Sequence, residues 1–104
     1  MIRTFFDSGV LIAGAKGIPT ERTKALAMLR DPRRQYFRNA EWFHDSSAIV
    51  ELARKECARS GLNAMDGLHV AAAHLLRADE FVTTEKPTKS IYRSALVKIV
   101  YLFG

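Results

Sequence analysis

The segment NAMDGLHVAAAHLLRADEFVTTEKP, residues 63–87, carries the strongest structural pattern in the chain. With Leu62 just ahead of it, Met65, Val70, Ala72, Ala73 and Leu76 fall on one broad arc of a helical wheel, and Asn63 stands where a helix cap belongs. "EFVTT" then follows as a short aromatic and β-branched run of strand type. A helix leading directly into a strand is half of a parallel α/β layer. One residue breaks the pattern: Asp66 lies inside the apolar arc, between Leu62 and Val70. A carboxylate drawn out of water must be paired, hydrogen-bonded or bound to a metal, so Asp66 needs either a partner or a cavity.

The flanking sequence extends the alternation. "IRTFF" is a buried first strand ending in "DSG", a strand-exit sequence. Pro19 and Thr20 open a helix with Ala25, Leu26, Met28 and Leu29 on its apolar face, and Asp31-Pro32 stops it. "RRQYFRNAEWF" fits either a short strand at Tyr36-Phe37 or the approach to a helix carrying Trp42 and Phe43. Asp45 or Ser46 caps the next helix, Ile49, Leu52 and Ala53 form its inner face, and Gly61 ends it. "PTKSIYRS" gives one or two helical turns and "LVKIVYLF" a last strand. The expected fold is α/β: a small parallel sheet with Ile2–Phe6, Glu80–Thr83 and Val97–Leu102 as members, flanked by helices near 20–30, 46–60 and 64–77, in one domain over residues 1–104.

Composition narrows the function classes. The mixture is that of an ordinary globular protein, with 48% hydrophobic and 26% charged residues. No apolar run reaches membrane-spanning length, and Asp7 breaks the N-terminal apolar patch, so a membrane protein and a signal peptide are not expected and the location expected is cytoplasmic. The single Cys57 excludes an internal disulfide and offers no zinc spacing. A net charge of +5 and a pI near 9.7 suit a polyanionic partner such as nucleic acid.

The acids then fall into place. Asp7 directly follows the first strand, Glu85 directly follows "FVTT", and Asp66 lies in the first turn of the preceding helix. Ligand sites of open parallel sheets form at the carboxyl ends of the strands. Three carboxylates meeting there repel one another unless a cation neutralises them, and a hard divalent ion, Mg²⁺ or Mn²⁺, suits an all-oxygen site. Taken one at a time, the same residues are a turn acid, a helix-capping acid and a solvated surface acid.

"FFDSGVLIAG" and "LNAMDGLHVAAAHLLRADEFVTTEKP" resemble the first strand and the C-terminal half of the PIN-domain family, which includes toxin ribonucleases of VapC type. The resemblance implies an α/β/α sandwich and a Mg²⁺- or Mn²⁺-dependent endoribonuclease acting on RNA phosphodiester bonds. It adds an antitoxin protein to the expected partners. Asp7, Asp66 and Glu85 match the first, third and fourth acidic places of its catalytic metal site, with Glu where Asp is more frequent at position 85. Ser8, Thr84 and Lys86 take the nucleic-acid contacts, with Thr83 beside them. The chain departs from the family over "RDPRRQYFRNAEWF", residues 30–43, where a strand and a helix bearing the second acid have no room. The resemblance thus also describes a PIN-like remnant with impaired catalysis, kept for binding or dimerisation. Glu41 or Glu51 directed at Asp7 would restore the missing acid. Gly67, where the family usually has Ala, weakens its helix by about 1 kcal/mol.

The remaining polar residues have plainer readings. His69 and His74 form no His-rich metal motif and are expected to be packed or surface residues. Lys86, Lys89 and Arg93 form one basic group after the acidic site, and Arg30, Arg33, Arg34 and Arg38 a second; both are phosphate contacts or solvated charge. Apolar surface left by the shortening, centred on Tyr36, Phe37, Trp42 and Phe43, is expected to drive self-association into a homo-oligomer.

Overall fold

The computed structural model describes residues 1–36 and 46–104. Four parallel strands, β1 (Ile2–Phe6), β2 (Arg34–Tyr36), β3 (Glu80–Thr83) and β4 (Ile99–Tyr101), form one sheet in the order β2-β1-β3-β4. Helices α1 (Ser8–Lys16), α2 (Pro19–Leu29), α3 (Ser46–Ser60) and α4 (Ala64–Leu75) connect them, and a 3-10 turn, Ser90–Arg93, lies between β3 and β4. Registers such as Phe5↔Phe81 and Val82↔Val100 fix all three pairings as parallel.

Strand alternation sends side chains to two separate cores. Phe5 and Phe81, their rings stacked at 5.4 Å, meet Val70, Ala72 and Ala73 of α4, with Leu62, Ile91 and Val97 around them. On the other face Val82 and Leu102 meet Val10 and Ala13 of α1 and Ala25 of α2. The result is the expected α/β/α sandwich, compatible with a PIN-like architecture. No helix among the described residues is long and apolar enough to cross a membrane.

Several details differ from the sequence expectation. "SGVLIAGAK" is a full helix, α1, capped by Asp7. The ambiguous region contributes a strand at Arg34–Tyr36, and the last strand is confined to Ile99–Tyr101. The expected helix boundaries hold: Pro19 is the first residue of α2, Asn63 caps α4 through Asp66 N–H at 2.8 Å, and Gly61 takes the left-handed conformation (φ +70°) that ends α3. Phe37, Arg38, Glu41, Trp42, Phe43 and Asp45 lie outside the described residues, and with them most of the aromatic cluster expected to drive self-association.

Candidate functional site

The chain enters at β1, moves to β2 on one side, and returns to β3 and β4 on the other. The crevice of such a sheet opens at the carboxyl ends of the two strands where the order reverses, here β1 and β3. Asp7 follows β1 and Thr84-Glu85 follow β3. The α3–α4 connection lies at the same edge, because α4 runs antiparallel to the strand that it precedes, and this brings in Asp66.

Asp7 has two local functions. One carboxylate oxygen accepts from Val10 N–H (3.3 Å), capping α1, and the other accepts from the buried Thr83 hydroxyl. Thr83 Oγ1 also accepts from Glu85 N–H (3.1 Å), so one hydroxyl sets both the Asp7 carboxylate and the turn that leaves β3. A Cβ at Gly9 would collide with Thr84 Oγ1 and stand 3.0 Å from Asp7 Oδ1. Glycine thus lets the start of α1 and the end of β3 approach.

Asp66 is half-buried in the first turn of α4. Burial pushes its pKa up, the Asp7 charge adds to this, and His69, one turn along α4, opposes it. The Asp7 charge is therefore within electrostatic reach of the Asp66 carboxyl. Glu85 is exposed; with Asp7 it acts on Tyr92, whose pKa is raised first by burial, then by Tyr101 and by these two acids. Tyr92 donates its hydroxyl to the Glu85 carbonyl (2.7 Å), pinning the loop below the crevice. Among the described residues, no group of three or more His, Cys, Asp or Glu side chains is arranged to hold a metal ion. Asp7 and Asp66 thus lie within electrostatic reach of one another, and Glu85 is exposed at the end of β3. Ser8 and Lys86 are exposed beside them and Thr84 is half-buried.

The other candidates separate. Glu51 is exposed on α3 and held by Arg54 (2.7 Å) and Lys55 (3.9 Å), so it does not replace the missing acid at Asp7; Glu41 lies outside the described residues. Arg33 and Arg34 pair with Asp31, and Arg34 also reaches Glu80 (2.7 Å), which accepts from Thr4. That network belongs to the strand-start edge, opposite the crevice. His74 Nδ1 lies 2.8 Å from Leu96 O and ties α4 to the segment before β4, while His69 packs near Phe5 and Phe81. Sequence reasoning missed Gly9 and Tyr92. Gly9 was visible only as part of "DSG", and Tyr92 carried no motif of its own. No family model, curated protein or solved structure matches the chain.

Proposed function

We propose that this chain is a PIN-like endoribonuclease that cleaves RNA with Mg²⁺ or Mn²⁺. The observation that supports the reading is that Asp7, at the end of β1, and Asp66, in the first turn of α4, come within electrostatic reach of each other at the strand-end edge of the sheet. Two carboxylates are a sufficient protein contribution for Mg²⁺, which keeps several waters and takes further oxygens from substrate phosphates. The donor set fits: Thr83 and Val10 hold the Asp7 carboxylate in place while spare lone pairs remain, and no hydrogen bond to the Asp66 carboxylate occurs among the described residues. A bound divalent cation polarises phosphoryl oxygen and makes water a nucleophile at neutral pH.

The protein's own contribution is placement. Asp7 and Asp66 would hold the ion, the Thr83 hydroxyl keeps the Asp7 carboxylate oriented, and Glu85 and Thr84, just after β3, would be available to orient water. Ser8 and Lys86 are exposed after β1 and β3 and would meet the scissile phosphate. Cleavage of end-labelled single-stranded RNA tests this: activity requires Mn²⁺ or Mg²⁺, stops in EDTA, and falls by about 100-fold or more in Asp7→Asn and Asp66→Asn. Cleavage by both variants at the wild-type rate refutes it. A specific observation favours a second reading, an RNA-binding module with impaired catalysis: no third acid joins the pair among the described residues. Cation binding and RNA binding without cleavage would identify that case.

A further inference from the structure

Glu56 raises a question that the crevice does not answer. It is a carboxylate only 1% exposed in the middle of α3. Burial raises its pKa, but donors outweigh burial and leave it ionised: the Ser94 hydroxyl, the Arg59 guanidinium and the Ala95 N–H. Arg59 presents Nε (2.8 Å) and one terminal nitrogen to Glu56 Oε1. This fixes one edge of the guanidinium, while the side chain as a whole is 63% exposed, so its remaining N–H groups point to solvent.

Beside this fixed arginine is an open cavity of about 610 Å³ lined by Arg59, Ser60, Gly61, Arg93 and Ala95. Arg93 Nη1 lies 3.2 Å from where a Cβ on Gly61 would stand, so the left-handed glycine leaves room for the second guanidinium. Among the described residues no carboxylate lines the cavity and Arg93 has no acidic partner. The negative end of the α3 dipole opposes an anion here, but that effect is confined to the last turn and two guanidiniums face it. The chain joins the cavity to the elements of the crevice: Arg93 follows Tyr92, which is within reach of the Asp7 and Glu85 charges, and Gly61 lies two residues before the Asn63 cap of α4.

We propose that the Arg59–Arg93 cavity is a preorganised seat for a backbone phosphate of single-stranded RNA, with Glu56 as the residue that positions Arg59. The proposal rests on the RNA reading of the crevice and adds to it a binding point away from the metal site. Guanidinium recognises phosphate in a fork geometry, and a guanidinium already fixed on one edge loses less freedom on binding.

The test measures binding of a labelled oligouridylate by fluorescence anisotropy in EDTA, so that neither metal nor catalysis contributes. The Arg59→Gln/Arg93→Gln double variant is compared with Lys16→Gln/Lys98→Gln, which removes the same charge at the opposite edge of the sheet. The expected result is a loss of affinity of about tenfold or more in the arginine variant alone. Its slope of log K against log salt should be shallower by about 0.7 for each phosphate that is no longer neutralised. Arg93→Gln, which breaks no ion pair seen in the fold, should reproduce part of the loss and guards against misfolding of the double variant. Equal losses in the two double variants, an unchanged salt slope, or no binding by the wild type overturns the proposal. Selective loss of binding together with no cleavage under Mn²⁺ keeps the phosphate seat and removes the nuclease.

Discussion

Gly67 follows Asp66 and sits where α4 crosses α3, so its substitution tests how the acidic crevice is positioned. An alanine there would gain about 1 kcal/mol of helix propensity. Its Cβ, however, would penetrate Cys57 Sγ and lie 3.3 Å from the Ala53 carbonyl oxygen, neither of which moves freely. Ala53 O is backbone, and Cys57 Sγ is held near Asn63 O at 3.4 Å. Overpacking of this kind costs about 1–3 kcal/mol, so Gly67→Ala should be neutral to destabilising by about 2 kcal/mol despite its better propensity. In Cys57→Ala the sulfur is gone and the new methyl has space, so the propensity gain should emerge. The coupling energy of the double-mutant cycle should be about 1–3 kcal/mol in favour of the pair. Urea denaturation of the four proteins measures it; in heat, each kcal/mol corresponds to roughly 4–8 °C in a domain of about this size. Stabilisation by Gly67→Ala in the wild-type background, or additivity within about 0.5 kcal/mol, would refute the packing argument.

Asp66→Asn should raise the Tm of the metal-free protein at pH 7. The native pKa of Asp66 is raised by burial and Asp7, so the native state binds more protons and stability falls as pH climbs from the unfolded value through the native one; the advantage of the variant should therefore vanish below about pH 4. Thermal melts from pH 3 to 8 check this, and an advantage unchanged across that range contradicts it. Glu56→Ala should cost about 2–4 kcal/mol, because Ser94 and Ala95 lose a buried acceptor. Its sign with pH is the reverse: the lowered native pKa of Glu56 gives stability that is present at neutral pH and lost in acid, so wild type and variant should converge as pH falls. Chemical denaturation at two pH values reads the difference, and a constant gap counts against an ionised Glu56.

The alternation of apolar periods made the layered α/β fold legible, since β1, β3, α2, α3 and α4 each carry their own apolar pattern, with Pro19 opening α2 and Asn63 capping α4. α1 was hidden because "VLIAGAKG" is apolar around most of its circumference, with Leu11 and Ile12 exposed and Val10 and Ala13 buried, so no amphipathic stripe announces it. The placement of Asp7 and Asp66 at one edge followed from strand ends and helix direction. Their supporting hydrogen bonds did not: Thr83 to Asp7 joins residues 76 positions apart, and such pairing follows only from the registered sheet. The arginines divided for the same reason. Arg34 is consumed by Asp31 in the turn before it and by Glu80 on β3, whereas Arg59 is organised by a glutamate one turn away, a spacing that sequence alone does not separate from ordinary helix charge patterning.

The most direct test of the account is the melting temperature of the wild type with and without Mn²⁺, beside Asp66→Asn. Only the native state assembles the Asp7–Asp66 pair, so cation at about 100 times its Kd should add about 2.7 kcal/mol, a rise of roughly 10–20 °C, and the rise should be much smaller in the variant. A wild-type Tm unmoved by millimolar Mn²⁺ would contradict the cation site and, with it, the nuclease.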